Sequence, residues 1–130
     1  KQERALLNFD EVYGYVCKAQ DAAVAALRDG AVAADVDAAA RKVLADAKLR
    51  DGNVNLADHF THGLGHGIGL EVHEAPRVRS NSTDVLKAGM VVTIEPGVYV
   101  PGWGGLRIED DFLITGDGAI RLSTLPRDPG

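Results

Sequence analysis

The chain changes its preferred backbone geometry near residue 52. Fourteen alanines precede that point, whereas twelve of the fifteen glycines lie between Gly52 and Gly118, among valines, isoleucines and threonines. Alanine costs least in a helix, and β-branched residues pack best on a pleated surface. The reading is α+β, two helices followed by strands. In the first part Phe9, Val12, Tyr13, Val16, Ala19, Ala23, Ala26 and Leu27 recur in steps of three and four. That spacing lines one face of a helix over about residues 5 to 29, with Gly30 as its stop. A second helix starts after Asp35, read as its N-cap. It has Val36, Ala39, Ala40, Val43, Leu44 and Ala47 on one side and Asp37, Arg41, Lys42 and Asp46 mostly on the other.

Beyond Leu70 the period drops to two. Val91-Val92-Thr93-Ile94 reads as a strand covered on both faces, ending at Glu95-Pro96-Gly97. Leu106, Ile108, Phe112 and Ile114 alternate with Arg107, Glu109, Asp111 and Leu113, and Gly116-Asp117-Gly118 turns into Ala119-Ile120-Arg121-Leu122. The loop Pro101–Gly105 joins the two longer strands as an antiparallel pair.

A length of 130 residues suits one domain with a core of its own. The net charge of -5 and the lack of any run of Lys and Arg argue against nucleic acid as a partner. Cys17 stands alone, so no internal disulfide forms, and its neighbours Val16 and Ala19 suggest a buried small apolar residue. The first residues, Lys1 to Arg4, are charged, and the apolar run Ala22–Leu27 is too short for a signal core or a membrane span. We expect a cytoplasmic protein without a membrane partner.

All four histidines fall in the 15-residue window His59–His73, interleaved with Gly63, Gly65, Gly67 and Gly69. His59 reads as an ordinary surface or core residue. The glycines argue against a helix through His62 and His66, so a loop or extended segment is expected. Arg107, Glu109 and Asp111 alternate and share a face of one strand. That face is either a solvated edge or, with the isolated Glu95 ending the neighbouring strand, a place where two carboxylates converge. Imidazole and carboxylate together suit hard or borderline divalent ions such as manganese, cobalt or zinc, which makes His66, Glu95 and Glu109 a partial ligand set.

Three ordered segments extend this reading. They are His62-Gly-Leu-Gly-His66 through His73-Glu74-Ala-Pro76, Leu86-Lys-Ala-Gly89-Met90 through Glu95-Pro96-Gly97-Val-Tyr99, and Gly105-Leu-Arg107-Ile-Glu109-Asp110-Asp111. Over residues 10 to 125 they resemble the C-terminal half of the pita-bread (creatinase/aminopeptidase) metallopeptidases. That family includes methionine aminopeptidases, aminopeptidase P and prolidases. Gly97-Val-Tyr99 and the Arg107–Asp111 run look more like the proline-specific branch than like methionine aminopeptidase.

The resemblance implies a curved, mainly antiparallel sheet behind the two helices, and hydrolysis of Xaa-Pro peptide bonds at two divalent ions. It makes His66 the histidine ligand, Glu95 a ligand and proton carrier, and Glu109 the bridging carboxylate. His62 and His73 become histidines of the substrate cleft, and Arg107 the arginine beside the bridging glutamate. It further implies two aspartate ligands on an N-terminal half. Asp10 and Asp21 have the right spacing for that pair but lie in the first helix. Residues 1–130 therefore read as a partial domain with three of five ligands, binding metal weakly or not at all and inactive alone. Its partners would be a proline-containing peptide and either the missing half or a second copy. A pita-bread module that binds peptides without chemistry is the alternative, as is a methionine aminopeptidase-like enzyme.

Overall fold

Helix α1 (Phe9–Ala25) begins at Asn8, whose Oδ1 accepts the Glu11 amide at 2.9 Å. That bond satisfies one of the amides a first turn leaves unpaired, and Asp10 and Glu11 sit favourably at the positive end of the helix dipole. The helix ends before Gly30. The Ala26 and Leu27 amides fall back on the Ala23 and Val24 carbonyls, both at 3.0 Å, which tightens the last turn. Gly30, at φ +88°, instead turns the chain so that its amide reaches the Leu86 carbonyl at 2.7 Å. Replacing Asn8 by alanine is expected to cost about 1 kcal/mol, read as a lower urea midpoint. An unchanged midpoint would mean that water caps this helix equally well. The computed structural model describes residues 7–50, 54–68 and 76–123.

Helix α2 (Ala33–Ala45) starts earlier than the Asp35 cap suggests. Val32 is its N-cap, with no side-chain bond, and Asp35 sits in the first turn. Asp37 is a second departure. The helical wheel places it with the polar residues, yet it is fully buried and ion-paired to Arg41 at 2.7 Å. At the exposed end of the helix the Asp46 hydrogen bond, also 2.7 Å, raises the Lys42 ammonium above its ordinary value.

After a 3-10 turn (Leu56–His59) come β1 (Gly65–Ile68), β2 (Arg77–Val78), β3 (Val91–Ile94), β4 (Gly97–Val100), β5 (Gly104–Arg107), β6 (Asp110–Ile114) and β7 (Ala119–Arg121). All ladders among the described residues are antiparallel, in the order β2-β1-β3-β6-β7 with a separate β4-β5 ribbon. The alternation from Leu106 to Ile114 suggests one strand; the structure divides it at Ile108-Glu109. Pro96 explains the break, because it has no amide to donate and the ladder cannot continue through it. Ile94 pairs with Asp110 on one side of the break and Gly97 with Arg107 on the other. The register is therefore the same on both sides, and it sets Glu95 across from Glu109 at the bend.

The core lies between the helices and the five-stranded sheet. Val12, Val16, Ala19 and Ala23 of α1 and Val36, Ala40 and Leu44 of α2 are buried together with Val92, Ile94, Phe112 and Ile114. Gln20 joins them, its amide donating to the Ile94 carbonyl and to Asp110, both at 3.1 Å. Cys17 is half-buried. Ile120 and Leu122, on and just after end strand β7, are about half exposed. Among the described residues no helix is long and apolar enough to cross a membrane.

Candidate metal centre and substrate cleft

A cavity of about 450 Å³ opens where β1 meets the bend, lined by His62, His66, Pro76, Arg77, Arg79, Glu95, Arg107 and three glycines. His66 stands on β1, as the extended reading of the glycine run requires. Its Nδ1 lies 2.9 Å from the Gly67 carbonyl. A carbonyl only accepts, so in the neutral ring Nδ1 carries the proton and Nε2 presents its lone pair. Nε2 is 3.7 Å from Glu95 Oε2. A neutral imidazole nitrogen and a carboxylate oxygen that close can share a cation between them.

Thr93 couples these two groups. Its hydroxyl donates to Glu95 Oε2 at 2.8 Å and accepts the His66 amide at 3.1 Å. It is 2% exposed, so water has little access to the hydroxyl itself. In the sequence Thr93 reads as one more β-branched strand residue. The only signal was its position two residues before Glu95, which places both side chains on one face of the strand.

The registers on either side of the bend set Glu95 across from Glu109, and like charges opposed in this way repel. Arg107 relieves the repulsion, with Nη1 3.7 Å from Glu95 Oε1 and Nη2 3.8 Å from Glu109 Oε1. Its side chain is 47% exposed, as is that of Glu109, so water weakens both pairs. Glu109 reaches the others through Arg107 and does not line the cavity. Among the described residues, no three His, Cys, Asp or Glu side chains form a cluster able to hold a metal ion. The donor chemistry of His66, Glu95 and Glu109 nevertheless fits a divalent ion, one imidazole nitrogen with carboxylate oxygens from facing strands. Asp111 lies past the bend on β6, with its amide bonded to the Ser123 hydroxyl at 2.8 Å.

His62 also lines the cavity. Its Nδ1 is 2.6 Å from the Gly63 carbonyl and its Nε2 3.5 Å from the Tyr99 hydroxyl. The ring meets Phe60 edge-on at 5.0 Å between centroids and Tyr99 at 5.7 Å. His59 is half-buried in the 3-10 turn, away from the cavity lining. Asp10 and Asp21 both lie in α1. His73, expected in the substrate cleft, lies outside the described residues.

Known proteins are similar to this chain in sequence and in fold. The chain matches the sequence profile of metallopeptidase family M24 over residues 3–116. It is 46% identical over 118 residues to the Xaa-Pro dipeptidase of Pyrococcus furiosus, covering 91% of this chain and 32% of that relative. Among solved structures it is similar to the prolidase from Pyrococcus furiosus (TM-score 0.79, 45% identity, 90% of this chain and 33% of that one). It is also similar to the X-Pro aminopeptidase from Thermotoga maritima (TM-score 0.78, 37% identity, 92% and 32%). The chain thus spans about a third of the length of the relatives it matches.

Proposed function

The chain belongs to metallopeptidase family M24 and carries the C-terminal part of the pita-bread fold, and on that premise we propose that it is the catalytic C-terminal portion of a peptidase that hydrolyses Xaa-Pro bonds. One observation carries the reading: Arg107 lies 3.7 Å from Glu95 and 3.8 Å from Glu109, with the His66 imidazole 3.7 Å from Glu95. Support for the substrate comes from relatives named for Xaa-Pro substrates.

We assign His66, Glu95 and Glu109 to a centre for two divalent ions, manganese, cobalt or zinc. The remaining ligands belong to the part of the relatives that this chain does not span. Bound there, the ions supply Lewis-acid polarisation and a lowered pKa for water. Glu95, oriented by the Thr93 hydroxyl, is the group that takes a proton from water and delivers it to the departing nitrogen. The nitrogen of an Xaa-Pro bond carries no hydrogen, so its departure as an amine depends on that delivery. His62 and His73 steady the scissile carbonyl and the proline side, and Arg107 supplies the positive charge that lets the two glutamates share the bend. On this reading the 130-residue chain alone binds metal weakly and is inactive. The rest of the peptidase is its natural partner, and a reducing cytoplasm its setting.

The test is hydrolysis of an Xaa-Pro dipeptide by the longer peptidase with added manganese. His66→Ala is expected to abolish turnover while leaving the protein folded. Activity that survives that change takes His66 out of the mechanism, and a wild-type enzyme inert toward every Xaa-Pro dipeptide removes the substrate assignment.

A further inference from the structure

Arg41 is held by three different acceptors. Its Nε donates to Asp37 Oδ2 at 2.7 Å, its Nη1 to the Phe60 carbonyl at 2.9 Å and its Nη2 to the His62 carbonyl at 2.9 Å. The guanidinium also lies over the Phe60 ring, 4.1 Å from its centroid. The Phe60–His62 carbonyls precede β1 and lack sheet partners, so a planar fork of donors takes the place of a neighbouring strand. Asp37, which anchors the fork, is fully buried, and its Oδ1 has no hydrogen-bond partner among the described residues. A buried carboxylate with one oxygen unsatisfied is a poor way to stabilise a helix, and an apolar residue of like volume would serve the core as well or better. What the pair secures is geometry, because it fixes the segment from which the His62 ring projects between Phe60 and Tyr99.

We propose that Arg41, anchored by Asp37, is a positioning residue for His62, setting from helix α2 where that imidazole stands at the cavity. The link to catalysis rests on the role assigned to His62 above; the placement itself does not. Lysine at 41 keeps the positive charge but cannot present three coplanar donors, so Arg41→Lys separates geometry from electrostatics.

Two readouts test this. In the 130-residue chain, the His62 ring proton resonances, assigned with His62→Gln, carry the ring-current displacement that Phe60 and Tyr99 impose. Arg41→Lys is expected to collapse that displacement and to leave the His66 resonances in place. In the longer peptidase, Arg41→Lys is expected to lower kcat about ten- to a hundredfold, the usual range for partners that orient a functional group, with a smaller change in KM. It should cost nothing further in a His62→Ala background. Unmoved His62 resonances overturn the proposal, and so does an equal loss of kcat in the His62→Ala background. If His62→Ala itself proves fully active, the role of His62 fails, whereas the resonances still decide whether Arg41 places it. Should Arg41→Lys unfold the chain, Asp37→Asn loosens only the anchor at nearly constant volume, and the same collapse is expected.

Discussion

Alanine at position 65 is expected to destabilise the chain by about 3 kcal/mol or more, beyond the middle of the range for overpacked sites. A Cβ built on Gly65 falls 1.8 Å from the Thr93 carbonyl oxygen and 2.7 Å from its carbon. These are backbone atoms of the adjoining strand, not the mobile end of a side chain, so either β1 lifts off β3 or Thr93 moves. The same displacement pulls the Thr93 hydroxyl from between the His66 amide and Glu95. One methyl group thus strikes the fold and the candidate centre together. Against a total stability of roughly 5–15 kcal/mol for a typical domain, the loss is large. Urea unfolding monitored by Trp103 fluorescence measures it, with Gly116→Ala as the control. No atom lies within 4 Å of a Cβ at that position, and a change of about 0.5 kcal/mol or less is expected there. A Gly65→Ala midpoint equal to the wild type's would mean that β1 and β3 do not approach as described.

Glu95→Gln in the longer peptidase is expected to lower kcat/KM for an Xaa-Pro dipeptide by about 10²- to 10⁴-fold, the usual contribution of a positioned proton carrier. The amide has nearly the same shape, and its oxygen still accepts from Thr93, so stability is expected to change by about 1 kcal/mol or less. What disappears is the ability to hold and return a proton, along with the charge that Arg107 and His66 face at 3.7 Å. Initial rates at saturating and limiting substrate separate kcat from KM. Wild-type rates in Glu95→Gln would leave Glu95 with a structural role only. Loss of activity together with loss of folding would leave its chemistry to be read from Glu95→Asp, which keeps the proton and shortens the reach.

Much of the scaffold was legible because it depends on local periodicity. Val12, Val16, Ala19 and Ala23 at steps of three and four predict a buried helix face, and they line it. The β-branched run Val91–Ile94 predicts a strand covered on both sides, and only Val91 escapes full burial. The glycines around His66 argue against a helix, and β1 passes through it. Periodicity locates a face but is silent about what covers it. Asp37 reads as polar surface because its own helix shows Arg41 one turn away but not that Arg41 turns inward to the Phe60 and His62 carbonyls. Gln20 is likewise buried only because the Ile94 carbonyl and Asp110 come to meet it. The division at Ile108-Glu109 is not visible in the local pattern, because alternation survives the bend and Pro96, its cause, lies on the opposite side of it.

The order of residues alone determined the element types, their succession and the kind of chemistry available, since backbone propensity, apolar period and donor identity all belong to short stretches of chain. Which of those groups meet was decided only by the tertiary fold. Thr93 joins His66 to Glu95, Arg107 stands between two glutamates, and Arg41 reaches from α2 to the His62 loop because strands and helices distant in sequence pack within a few ångströms. Contacts of that kind depend on register and on the shape of the neighbouring surface, and neither is written in any single segment.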